Sequence, residues 1–97
     1  MGFDALPAGE QALARSVLSI ADRLRSMDLN RLSRSSDGEL SIADRVYIAC
    51  QKLAPQVPRL SDPASGDQWS IIASEYLAKG NDLDLLHTQV SELKAVL

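Results

Sequence analysis

Few side chains in this sequence of 97 residues could carry covalent or metal chemistry, and those few stand apart. Cys50 is the only cysteine and His87 the only histidine. The chain can therefore assemble neither an intramolecular disulfide nor a zinc site of several Cys and His ligands. Cys50 lies beside Ala49 and Leu53 on an apolar helical stripe, the setting of an inert buried thiol rather than of a nucleophile. His87 directly follows Leu86, which puts it at the surface or half-buried edge of a helix. Four arginines, Arg23, Arg25, Arg31 and Arg34, crowd a short stretch, and guanidinium forks bind oxyanions bidentately. Asp22 and Asp28 offset half of that charge. A solvated surface with local ion pairs is the expectation, and a patch for phosphate or an acidic partner the alternative. No residue is assigned a catalytic, cofactor-binding or metal-binding role, and the chain is not expected to be an enzyme.

Charge and composition narrow the partners. Ten Lys and Arg stand against 13 Asp and Glu, a formal charge of −3. Tight binding to nucleic acid usually needs a basic face, and no aromatic residue flanks the arginines to stack on bases, so nucleic acid is not the expected partner. The first residues lack the basic segment and apolar run of a signal peptide. Leu6 stands where a myristoylation signal has Ser or Thr. No stretch approaches the roughly 18 apolar residues of a membrane span. With a lone cysteine, these features lead us to expect a single domain over 1–97, soluble and cytoplasmic, with no membrane partner.

The elements that must position any site read as helices. Leu13, Val17, Ile20, Leu24 and Met27 recur at 4-3-4-3 spacing and predict a helix over 8–27. Ser35-Ser36-Asp37-Gly38 reads as an exposed tip, after a stretch where Leu29 and Leu32 could pin a short helical turn to the core. Ser41 and Asp44 have capping-box spacing and open a helix over 41–54, which Pro55 ends. Residues 55–66 hold three prolines and a glycine and read as an ordered, non-helical connection with Val57 and Leu60 on the core. Ser65 and Gln68 should cap a third helix over 66–79, stopped by Gly80. Asn81 and Asp84 should cap a fourth over 82–96. No strand alternation is present. The expected fold is all-α: a four-helix bundle or irregular four-helix array with a long Pro-containing loop between helices two and three. Helices three and four, joined by a very short loop, should be antiparallel neighbours. Val17, Ile20, Leu24, Val46, Ile72, Leu86, Val90 and Leu93 should be largely buried.

Motifs beyond the helical stripes are sparse. Leu18-Ser19-Ile20-Ala21-Asp22-Arg23 recurs as Leu40-Ser41-Ile42-Ala43-Asp44-Arg45, through shared amphipathic demands, duplication or a shared binding face. His87 on a four-helix scaffold is similar to the phospho-acceptor of histidine phosphotransfer domains in residue type alone. Thr88-Gln89-Val90-Ser91 follow it where that family has Lys and Gly. Ser41-Ile42, opening the second helix after a loop, resembles the placement of the phosphopantetheine serine in acyl and peptidyl carrier proteins. Glu39-Leu40 depart from the Asp or Gly-Asp that precede the serine there.

The expected function is a small helical protein–protein interaction module: an adaptor, regulatory subunit or inhibitor acting through a surface on another protein or on a second copy of itself. The alternatives are a nucleic-acid-associated regulator using the Arg23–Arg34 cluster and, further off, a carrier-type domain using Ser41. Trp69 follows the Pro-containing loop in the first turn of its helix, where it is either a lid on the core or a partly exposed anchor. As an anchor it would border the interaction surface with Leu60 and Tyr76, with Arg31 and Arg34 as the charged candidates.

Overall fold

The computed structural model describes residues 8–34, 38–80 and 82–97. Among these the chain forms five α-helices and no strand: α1 (Ala8–Ser26), α2 (Leu29–Ser33), α3 (Ile42–Leu53), α4 (Ser65–Ala78) and α5 (Leu83–Val96). A 3-10 turn, Asp62–Ala64, leads into α4. The all-helical class is as expected, but the count is five, because the short turn around Leu32 closes into α2. Asp28 caps it by accepting from the Asn30 amide (2.8 Å), and Leu32 plugs the core beneath it. The proposed tip at Ser35, Ser36 and Asp37 and the cap at Asn81 lie outside the described residues.

Local chemistry sets the other boundaries. The Ser41–Asp44 capping box forms in full. The Ser41 hydroxyl accepts from the Asp44 amide (3.0 Å), and the Asp44 carboxylate accepts from the Ser41 amide (3.3 Å). Gly80 stops α4 with a φ of +70°, a left-handed conformation that suits a residue without Cβ. The cap expected at Ser65 is a correction. The 3-10 turn carries the chain into α4 from Ala64, so Ser65 lies inside the helix and is buried, and Gln68 donates instead to the Pro58 carbonyl (2.8 Å).

Packing centres on α1. Trp69 of α4 donates its indole N–H to the Val17 carbonyl (3.0 Å), and Arg25 reaches Asp67 (2.8 Å), so α4 runs antiparallel to α1. Lys94 donates to the Ser16 hydroxyl and Arg23 to the Leu97 carbonyl, so α5 runs parallel to α1. It follows that α4 and α5 are antiparallel, as the short connection predicts. Ala14, Val17, Ile20, Ala21 and Leu24 of α1 meet Val46, Ala49 and Cys50 of α3, Trp69, Ala73 and Leu77 of α4, and Leu86, Val90 and Leu93 of α5 in one core. Of the eight residues expected in the core, Ile72 differs: it is half-buried at the edge of α4. Leu60 also stays out, at 41% exposure, while Val57 packs on the core as expected.

The two copies of the six-residue repeat serve different purposes. The first buries Ile20 and Ala21 and exposes Leu18 and Ser19 in mid-helix. The second buries Ser41 and Ala43 and exposes Leu40 at a helix start. Both copies expose their leucine and bury their alanine, and they differ at the serine, exposed at Ser19 and buried in a cap at Ser41.

Close approach decides one glycine. A Cβ at Gly66 would lie 3.0 Å from the Ala21 carbonyl oxygen and 3.0 Å from Cγ of Arg25, so α4 can lie this near α1 only without a side chain there. Gly9, by contrast, has open space around its Cβ position. Gly66→Ala should therefore lower the stability measured by urea titration by about 1–3 kcal/mol through overpacking. Gly9→Ala should leave it equal or raise it by up to about 1 kcal/mol through helix propensity.

Candidate interaction groove

The five residues singled out in the sequence do not form one site. Trp69 is 0% exposed, and its N–H is satisfied inside the α1–α4 seam, so the indole is a lid on the core and offers no surface to a partner. That corrects the reading of it as an anchor. Tyr76 sits two helical turns further along α4, where its hydroxyl donates to the Asp82 carbonyl (2.8 Å). Burial and the Asp82 carboxylate push its phenol above the ordinary value. Leu60 is exposed in the connection before α4, and Arg31 and Arg34 are exposed at and just after α2. The ion pairs of the described residues belong to Arg25, with Asp22 and Asp67, and to Arg59. With Arg23 bonded to Leu97, the four-arginine cluster is divided: two members are engaged, and Arg31 and Arg34 carry no ion pair among the described residues.

What the fold builds instead is a groove between the segment after α3 and one face of α4. Its wide end is a hollow of about 440 Å³ lined by Ala54, Pro55, Gln56, Val57, Pro58 and Ile72. At Ala54 and Ile72 it continues into a narrower hollow of about 60 Å³ lined by Leu53, Glu75, Tyr76 and Lys79. Ile72, Glu75, Tyr76 and Lys79 stand at i, i+3, i+4 and i+7, which is one helical face. The wide end is carbon-lined and the narrow end carries one charge of each sign. Tyr76 is the one sequence candidate that lies on this groove.

The far wall is held by polar contacts. Tyr47 donates to the Val57 carbonyl (3.4 Å) and Gln68 to the Pro58 carbonyl. The Arg59 guanidinium donates to Asp44 (3.1 Å) and Asp62 (2.8 Å) and lies over the Tyr47 ring, 5.6 Å from its centroid. Asp62 turns its other oxygen to the Ser33 hydroxyl (2.5 Å). The Ser33 hydrogen bond holds the Asp62 carboxyl below its ordinary value against the opposing effect of burial, and Arg59 adds to it. At Asp44 burial pushes upward, but bonds from Ser41 and Arg59 outweigh it and the net shift is down.

Elsewhere, Ser16 and Lys94 flank a second hollow of about 440 Å³ between α1 and α5, with His87 on its rim. Cys50 is buried, and that burial pushes its thiol up to about 12, far from a reactive thiolate. Ser41, the residue that resembles a carrier serine, is buried, with its hydroxyl in the capping box. Among the described residues no group of three His, Cys, Asp or Glu side chains is placed to hold a metal ion. No helix among them is long and apolar enough to cross a membrane.

The groove escaped the sequence reading because Ile72 fits the buried stripe of α4 by spacing. The only signal was the doublet Ile71-Ile72, which gives α4 a wider apolar arc than one core face needs; Ile71 is 59% exposed. No family model, curated protein or solved structure matches this chain.

Because Asp44 and Asp62 ionise more readily in the folded protein than their ordinary value of 3.8, their pairing stabilises the fold above that value. The contribution is lost as the pH falls through the lowered folded values. Stability followed by denaturant titration should fall across this acid range, and Asp62→Asn should flatten the fall while lowering stability at neutral pH.

Proposed function

We propose that this chain is a helical protein–protein interaction module, an adaptor, regulatory subunit or inhibitor, and that the groove beside Ile72 is its contact surface. The observation that carries the reading is Ile72 itself. This large aliphatic side chain is half-buried in a hollow whose other walls are Ala54, Pro55, Gln56, Val57 and Pro58. A concave, carbon-lined surface gains by taking up an apolar side chain, and recognition grooves on helical proteins work in this way. The α4 floor of the groove stands on a scaffold fixed by core packing, which lowers the ordering cost of binding. Glu75 and Lys79 at its narrow end would orient a partner's polar flank. The partner is another protein or a second copy of the chain. A cytoplasmic setting suits a single buried thiol with no second cysteine to pair with.

Affinity capture from a native lysate, paired with sedimentation of the pure protein, tests this. A partner, or a self-associated species, that survives Arg31→Ala with Arg34→Ala but is lost on Ile72→Glu supports the groove. Thermal unfolding of Ile72→Glu must remain cooperative. A partner retained by Ile72→Glu and lost with the two arginines would move the function to the α2 corner, and a nucleic acid captured there would favour the regulator reading.

A further inference from the structure

The connection from Ala54 to Ala64 has few backbone bonds of its own. Its described main-chain bonds lie at the two ends, Ala54 to Cys50 (2.8 Å) and Val57 to Ala54 (3.0 Å) at one and Ala64 to Ser61 (2.9 Å) and Ser65 to Asp62 at the other, and prolines at 55, 58 and 63 supply no N–H. Side chains hold it to the body, and their convergence on one residue is the unusual feature. A single Arg59 guanidinium bonds Asp44 at the N-terminal turn of α3, Asp62 at the far end of the connection and the Leu60 carbonyl (2.6 Å), while covering the Tyr47 ring. Asp62 passes the link on to Ser33 of α2. Tyr47 and Gln68 hold only the carbonyls of Val57 and Pro58.

We propose that residues 54–64 are a strap that opens as one unit while the helices stay packed, and that Arg59 is its latch. The geometry favours unit behaviour. With Arg59 withdrawn, the Asp62 carboxylate keeps only its bond to Ser33, and among the described residues the stretch from Arg59 to Ser61 keeps no side-chain bond to α3 or α4. An isolated exposed ion pair would add little, but a charge shared between two carboxylates, a carbonyl and an aromatic face is a network. Local openings of this kind occur at free energies below that of global unfolding where backbone bonding is thin. Pro55, Val57 and Pro58 are at once strap and groove wall, so an opening of the whole strap would widen the groove. That consequence rests on the proposed function, whereas the opening itself does not.

Hydrogen exchange on the intact protein, with alkylation of Cys50 as the reporter of global opening, tests the latch without any partner. In Arg59→Ala the amides of Val57 and Ala64, which donate to the Ala54 and Ser61 carbonyls, should exchange about tenfold faster or more, the scale of losing charge-assisted hydrogen bonds. Amides of α1 and α5 and the alkylation rate of Cys50 should stay at wild-type values. Asp62→Asn should act in the same direction and more weakly. Strap amides that exchange at the wild-type rate in Arg59→Ala would overturn the proposal. So would strap exchange that rises only in step with Cys50 alkylation, because Arg59 would then serve global stability alone. If Arg59→Ala does not fold, Arg59→Lys decides on the same two readouts: faster strap exchange with unchanged Cys50 alkylation supports the latch, and unchanged strap exchange overturns it.

Discussion

The seam between α1 and α4, closed by the Trp69 indole against the Val17 carbonyl, sets the terms for everything around it. An indole buried in carbon must have its N–H bonded, and a helical carbonyl has a second lone pair to offer. That bond brings residue 69 beside residue 17, and Gly66 then lies against Ala21 and Arg25 with no room for a Cβ. Once α4 is held this closely, the small side chains Ala14, Ala21 and Ala73 fit inside, and α3 and α5 complete the core. Among the described residues no buried side-chain polar atom is left without a partner, so the seam carries no uncompensated desolvation cost.

The same constraint decides what is left for a surface. The face of α4 turned to α1 is filled by Trp69, Ala73 and Leu77, so Ile72 and Tyr76 fall at its edge. α3 ends at Leu53, and the chain must then cross to the start of α4. Three prolines remove three amides that would otherwise need acceptors, and the crossing runs past Ile72. The groove is thus a consequence of where α4 is pinned and of how the connection is tethered. Its floor belongs to the rigid core and its wall to a segment held mainly by side chains. A binding surface with one fixed and one adjustable side follows from that division.

Much of the helical framework was legible in the sequence. The stripes of α1, α3 and α5 each have one core to face, and Ser41, Asp44 and Gly80 mark ends by local chemistry that needs no tertiary partner. Legibility failed where a distant residue decides. Ser65 has the chemistry of a cap, but the turn through Pro63 draws it inside α4 and leaves Gln68 free to reach Pro58. Trp69 could be read as lid or anchor until its acceptor, 52 residues away, was known. Arg59 stands apart from the four clustered arginines and has no sequence mark of its own, because its significance comes from Asp44, Tyr47 and the Asp62–Ser33 bond rather than from its neighbours in sequence. Ile72 has the spacing of a core residue, and only the path of the connection shows that its outer side stays open.

The claim on which the rest depends is that Trp69 lies inside the α1–α4 seam and not on a partner-facing surface. Because it is the only tryptophan, fluorescence quenching by acrylamide in a dilute, verified monomer reads its environment without interference. A seam closed by Trp69 gives emission typical of a buried indole and quenching far weaker than that of free tryptophan, rising only when denaturant unfolds the chain. Red-shifted emission with free-tryptophan quenching in the folded monomer would contradict it. The seam would then be open, and α4 could not hold Ile72 where the groove requires it.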